Sequence, residues 1–168
     1  MKAILSILTL IAFLAINVQA QQKVKSPPQV VAGKIANVDM TIDYSSPGVK
    51  GRTTWGGELV PFDKIWRTGA NAATWIETAG DLMVEGKNLP AGKYSIFTIP
   101  HDDDTCTVIF NTEWDQWGHY KYNEAKDALR VDVAKQTSDQ ETERLSFEIA
   151  ASLVIIRWDD WLIPVSIK

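Results

Sequence analysis

Apolar and polar residues alternate with a period of two along much of the chain, which is the pattern of strands that bury one face. Gly80-Asp81 and the stretch 86–88 are typical turn sequences, and the first of them predicts a hairpin. The continuous apolar run 153–156 predicts a central strand covered on both faces. About nine strands are predicted, at 38–44, 74–79, 82–85, 93–99, 105–110, 129–133, 145–149, 153–156 and 161–167.

One short helix is expected near 123–129, with Asn123 as its N-cap and Glu124 at its positive end. Strands and helices do not alternate in the way that indicates a parallel sheet. The pattern therefore predicts a mainly β fold, an antiparallel β-sandwich or jelly-roll-like arrangement.

The first twenty residues have the features of a secretory signal peptide. Met1-Lys2 precedes the apolar run 3–18, and cleavage is expected after Ala20. The run is short for a membrane span, and no membrane span is expected after cleavage. Residues 21–30 are polar and contain prolines, which predicts a flexible leader, and residues 31–168 are expected to form a single domain. A secreted or periplasmic location follows.

The formal net charge is −4, and cleavage of the signal would remove one lysine and no acid. This balance argues against nucleic acid or anionic lipid as the main partner. Cys106 is the only cysteine, so no intrachain disulfide can form. It shares a strand face with Val108 and Phe110, which predicts a buried, unreactive thiol.

A Gly- and Pro-containing segment, Tyr44 to Thr74, interrupts the strands. Arginine presents five donors in a planar fork that suits a carboxylate, a phosphate or sugar oxygens, and asparagine both donates and accepts. Tryptophan adds flat apolar faces, so these residue types together suit a small-ligand pocket. The alternative is structural, because a loop folded over a sandwich needs donors for its own carbonyls. The residues concerned are Lys50, Arg52, Trp66, Arg67 and Asn71.

A second irregular stretch, 111–122, is rich in aromatic residues. Exposed rings there would suit a carbohydrate or peptidoglycan surface. The candidate ligand-binding residues of the two stretches are Tyr44, Lys50, Arg52, Trp66, Arg67, Asn71, Trp117, His119 and Tyr120.

Several blocks of the chain, in order, resemble the domain-of-unknown-function family 2911, DUF2911, a group of secreted bacterial proteins. The blocks are YSSPGVKGR at 44–52, LVPF at 59–62, WRTGAN at 66–71, LPAGKYSIFTIP at 89–100, and WG at 117–118 with Tyr120, Tyr122 and AKD at 125–127. The resemblance implies an extracytoplasmic β-rich domain and brings no known substrate or catalytic residue. The residue after the matched Asn71 is often Glu in the family but is Ala72 here, so this chain would lack any chemistry that depends on that acid.

No metal site or cofactor is expected. His101 and His119 are the only histidines, and neither belongs to an HxH or HExxH motif. No Gly-x-Ser-x-Gly elbow supports a Ser-His-Asp triad. The acidic runs 102–104 and 159–160 are interpreted as solvated turns.

Three functions stay open. The first is a protein that binds a small molecule or glycan, with Arg67 clamping an anionic or polar group, Asn71 orienting it, and Trp66 and Trp117 packing on its apolar parts. The second is a hydrolase that uses an acidic residue in the same cleft, for which Glu58 and Asp63 are the nearest candidates. The third is an envelope-interaction module that binds no small ligand.

Overall fold

Residues 24–168 are described by a computed structural model. The expected signal peptide, 1–20, and the first residues of the expected leader, 21–23, lie outside the described residues. Within residues 24–168 no helix is long and apolar enough to cross a membrane.

Strands dominate the described chain, which confirms the mainly β prediction. The strands are β1 (Pro28–Ile35), β2 (Val38–Ser45), β3 (Thr74–Thr78), β4 (Leu82–Val84), β5 (Lys87–Leu89), β6 (Gly92–Pro100), β7 (Thr105–Asn111), β8 (Asp127–Ala134), β9 (Gln136–Ile149) and β10 (Leu153–Ser166).

Three antiparallel sheets result from the pairing. The largest has six strands in the order β1-β2-β3-β6-β7-β8, the long hairpin of β9 and β10 forms the second, and the short hairpin of β4 and β5 forms the third. Ile42 lies opposite Ile76, and Ile96 lies opposite Phe110. This register aligns the apolar residues of successive strands on one face of the six-stranded sheet, as the period of two requires.

The main core lies between that face and the long hairpin. Ile42, Ile76 and Phe110 of the sheet belong to one buried cluster with Phe147 of β9 and Ile156 of β10. The opposite face of the sheet is covered at Phe97 and Ile109 by Ile65 and Tyr122, which come from irregular segments. The arrangement is sandwich-like, as predicted.

Strand β1 begins at Pro28, inside the predicted leader, and pairs with β2 from Pro28 opposite Ser45 to Ile35 opposite Val38. The predicted leader, 21–30, was therefore too long. β1 lies at the edge of the sheet, where proline is tolerated at the first position of a strand. Most of its residues are exposed, so it carries little hydrophobic alternation.

The strands predicted at 153–156 and 161–167 are one strand, β10, and the turn predicted at Asp159-Asp160 is wrong. The register with β9 shifts on both sides of Asp159, which has a φ of 55°. A bulge therefore absorbs the irregularity without ending the strand. The prediction that 153–156 is covered on both faces is also wrong, because burial alternates along β10.

Two local predictions around the small hairpin and the helix need correction. β4 pairs with β5 rather than with β3, and its turn contains Glu85 and Gly86, both with positive φ. The expected helix near 123–129 is a single 3₁₀ turn, Glu124–Lys126. Asn123 does cap it, since its Oδ1 accepts a hydrogen bond from the Ala125 N–H at 3.1 Å. The turn ends there because β8 starts at the next residue.

Cys106 is fully buried on β7, as predicted. Burial raises the pKa of its thiol to about 12, with a further contribution from Asp132. The protonated thiol acts as a small apolar group in the main core.

Candidate functional site

The irregular segment between β2 and β3, residues 46–73, contacts both layers and is called here the bridging segment. Near its start, the Val49 N–H donates to the Glu143 carbonyl of β9 at 2.8 Å. Near its end, Trp66 exchanges two backbone hydrogen bonds with Thr98 of β6, at 2.8 and 2.9 Å. β3 pairs with β6 only as far as Ile96, and Trp66 pairs with the same edge of β6 beyond that point. The bridging segment is therefore fixed at two points.

Indole rings hold the bridging segment against the long hairpin. Trp66 is stacked on Trp158 of β10, with 5.3 Å between ring centroids and 16° between planes. Trp55 stacks on Trp161 at 4.4 Å and meets the rings of Trp66 and Trp158 edge-on. These ring contacts hold the bridging segment in one position against β10 and so fix the positions of the side chains beside the rings.

Beside Trp66 lies a cleft of about 230 Å³, called here the cation cleft. Lys25, Lys50, Arg52 and Arg67 all line it, and no acidic residue of the described chain does. This concentration of positive charge is opposite in sign to the net charge of the protein, −4. The Glu143 carboxylate accepts a hydrogen bond from the Lys50 N–H at 3.3 Å and offsets part of this charge. Four cations against this one acid still leave the cation cleft positive, and a pocket of one sign attracts ligands of the other sign.

The two arginines of the cation cleft have different environments. Arg52 donates from Nε to the Val49 carbonyl at 3.0 Å and from Nη2 to the Gly48 carbonyl at 2.6 Å, so part of its role is to hold the turn. The guanidinium of half-buried Arg67 has no hydrogen-bond or ion-pair partner within residues 24–168, and its Nε is inaccessible to solvent. Burial lowers the pKa of Arg67 below its ordinary value, and Tyr120 acts in the opposite direction.

A second cleft of about 430 Å³ adjoins the first and is called here the side cleft. Leu59, Trp66 and Arg67 line both clefts, so Arg67 lies where they meet. His119 lines only the side cleft, and its Nδ1 is buried without a partner among the described residues. Burial and, next, the charge of Arg67 lower the pKa of His119 below its ordinary value.

We expect an NMR titration of the imidazole protons to place the midpoint of His119 below 6.5. In Arg67→Met the midpoint should rise, because one of the two causes of the lowered pKa is removed. The neutral form is favoured in the folded state, so the contribution of His119 to stability should fall as the pH drops below about 6.5. Lys34→Met, which removes an exposed cation on β1, serves as the control. An unchanged midpoint in Arg67→Met would contradict this geometry.

Tyr44 and Asn71 do not line either cleft. Tyr44 is buried against Phe147, and its hydroxyl accepts a hydrogen bond from the Phe147 N–H at 3.4 Å. Asn71 is exposed, with a φ of 61°, and donates from Nδ2 to Ser45 at 3.2 Å. Its carbonyl accepts from the Gly118 N–H at 3.1 Å. Asn71 therefore joins the bridging segment to the stretch 111–122.

Trp117 and Tyr120 lie on the stretch 111–122 and are 66% and 79% exposed. Tyr120 stacks on His119, with 5.1 Å between ring centroids, so it lies beside the side cleft that His119 and Arg67 line. Trp117 forms an isolated backbone bridge with Ala72 and lines neither cleft. The predicted residues that the structure brings together are thus Lys50, Arg52, Trp66 and Arg67, with His119 and Tyr120 beside them.

The two acids considered for hydrolysis are placed differently. Glu58 is exposed and lines the side cleft. The Oδ1 atom of Asp63 lies 2.6 Å from Nδ1 of His101, and Nε2 of the same ring lies 3.0 Å from the Thr107 hydroxyl. Asp63 is therefore paired with His101 and not with Arg52 or Arg67. Within residues 24–168 no group of three or more His, Cys, Asp or Glu residues is arranged to hold a metal ion.

Sequence reasoning did not include Lys25, Ile65 or Trp158 in the site. Lys25 was assigned to the leader, and Trp158 falls between the strands predicted at 153–156 and 161–167, so no pattern placed it. Only tertiary contacts bring Lys25 and Trp158 to the bridging segment, where both line the cation cleft. Ile65 belongs to the segment itself and lines the side cleft.

Comparison with known proteins supports the resemblance seen in the sequence blocks. The model of the family described as "Protein of unknown function (DUF2911)" matches residues 26–167. No curated protein and no solved structure gives a match. The match covers all ten strands and leaves out only residues 24–25 and 168 of the described chain. This chain belongs to the DUF2911 family.

Proposed function

We propose that the protein binds a small molecule or glycan that carries an anionic group, and that this group lies in the cation cleft. The observation that carries the proposal is the half-buried guanidinium of Arg67, which has no partner within residues 24–168 and lies in a cleft lined by three further cations. The planar fork of arginine suits a carboxylate or a phosphate, which it can bind through two parallel hydrogen bonds.

The energetics point the same way. A charged group that loses water on folding without gaining a partner destabilises the folded state. An anion in the cation cleft would supply acceptors for the Nη groups of Arg67, since only its Nε is closed to solvent, and would offset the positive charge of the lining. The cleft is therefore suited to a charged ligand, and the exposed cations Lys25, Lys50 and Arg52 would attract it from solution.

A melting-shift screen with matched ligands tests the proposal. Phosphate, citrate and glucuronate should raise the Tm, since a ligand present at 100 times its Kd adds about 2.7 kcal/mol to the free energy of unfolding. Glucose, which resembles glucuronate without the carboxylate, and spermidine, a polyamine, should not. The shift should shrink as sodium chloride is raised, because exposed charges are screened. A shift with glucose or spermidine and none with the three anions would contradict the proposal.

The hydrolase alternative depends on Glu58, the one acid of the described chain that lines either cleft. It is exposed and lies in the side cleft, so binding remains the function that the site supports best. We further propose a secreted or periplasmic setting, on the sequence of residues 1–20.

A further inference from the structure

We infer that the ligand has two parts, an anionic group that lies in the cation cleft and an uncharged, largely apolar body that lies in the side cleft. The class that fits is an aryl or acyl phosphate or carboxylate, rather than a free inorganic anion. This inference rests on the proposed function and adds the chemistry of the part of the ligand that Arg67 does not bind.

The first reason is continuity. The two clefts share Leu59, Trp66 and Arg67, so a molecule bound by the guanidinium can extend directly from one to the other. The side cleft, at about 430 Å³, is larger than the cation cleft, at about 230 Å³. A bare phosphate would leave this larger volume to water.

The second reason is the lining of the side cleft. Leu59, Pro61 and Ile65 present apolar surface there, beside the wall formed by Trp66. Displacing water from such surface with a ring or a short acyl chain is favourable, by roughly ten- to a hundredfold in affinity for a fully buried aromatic side chain. The same surface gives no advantage to an inorganic anion.

The third reason is the polar content of the side cleft. Glu58 and Lys64 line it with opposite charges, which balance each other for an uncharged body. His119 lines the side cleft as well. Burial lowers the pKa of His119 below its ordinary value, which favours the neutral ring and so adds little charge to the lining.

The test compares three phosphates of similar charge by isothermal titration calorimetry of the protein: inorganic phosphate, glycerol phosphate and phenyl phosphate. The expected result is that phenyl phosphate binds roughly ten- to a hundredfold more tightly than the other two. Ile65→Ser should reduce this advantage at least about threefold and leave the affinity for inorganic phosphate unchanged. Pro61→Ser, at an exposed position outside both core clusters, should act in the same direction without opening a cavity in the core. Val30→Ser, which removes an apolar side chain that is 63% exposed on β1, is the control and should change nothing.

The outcomes separate the inference from the proposed function. Equal affinities for all three phosphates would overturn the inference and leave anion binding in place. An advantage for phenyl phosphate that neither Ile65→Ser nor Pro61→Ser reduces would place the body elsewhere, for example on Trp117 or Tyr120, and would also overturn it. If no phosphate binds at all, the inference fails. The proposed function fails with it only if citrate and glucuronate also leave the Tm unchanged.

Discussion

Replacing Trp66 with alanine is expected to lower the free energy of unfolding by about 3–5 kcal/mol. Trp66 is 5% exposed and stacks on Trp158, which is 2% exposed, so the substitution would open a cavity between the bridging segment and β10. The edge-on contact with Trp55 would be lost as well. The backbone hydrogen bonds of Trp66 with Thr98 do not need the side chain, so the fold should survive in a weakened form.

The measurement is chemical denaturation followed by tryptophan fluorescence and far-UV circular dichroism. Trp117→Ala is the matched control, because Trp117 is 66% exposed and its loss should change the free energy of unfolding by less than about 0.5 kcal/mol. Similar small effects for both substitutions would show that the bridging segment is not held by its indoles. Trp66→Phe, which keeps part of the ring, should lie between the wild type and Trp66→Ala.

Replacing Arg67 with methionine is expected to weaken binding of an anion roughly ten- to a hundredfold, while the free energy of unfolding without ligand stays the same or rises. Arg67 makes no hydrogen bond through its side chain to residues 24–168, so its loss leaves no carbonyl or carboxylate of that part of the chain without a partner. Methionine keeps the apolar stem and removes only the half-buried charge. The two roles of Arg67 therefore predict different results. Loss of a ligand-binding arginine weakens binding without lowering the free energy of unfolding, whereas loss of a structural arginine lowers it.

Calorimetric titration with citrate, together with the Tm in the absence of ligand, tests this prediction. Arg52→Met should behave differently, because Arg52 bonds the Val49 and Gly48 carbonyls, and its loss should cost about 1–2 kcal/mol of stability. Lys34→Met, remote from the cleft and paired with Asp39, should affect neither quantity. If Arg67→Met instead unfolds at a much lower temperature and no anion binds the wild type, the structural alternative replaces the binding proposal.

The fold class was predictable because it follows from local alternation, which the strands from β2 to β10 mostly carry. β1 was not, since its residues are largely exposed and only pairing with β2 makes it a strand. The same holds for β10, where distant contacts with β9 keep the chain extended through Asp159-Asp160. The local turn signal at Asp159-Asp160 corresponds to a bulge within β10 and not to a turn.

The site was predictable in its chemistry more than in its geometry. Cations in a long irregular segment are a local signal, and Arg67 with Lys50 and Arg52 do meet in one cleft. Tyr44 was placed with them by adjacency in sequence, although its alternation with Ile42 already indicated the core, where it lies. Lys25 could not be found from the sequence, because only the tertiary fold brings it to the cleft.

Arg67 has no side-chain partner within residues 24–168, and we propose that it takes one from solution. A crystal structure with selenate, located by its anomalous signal, tests this most directly. We expect a selenium peak beside the guanidinium of Arg67, with selenate oxygens about 3 Å from its nitrogens. A guanidinium paired with a carboxylate of the protein itself, and a cation cleft without a peak, would contradict it.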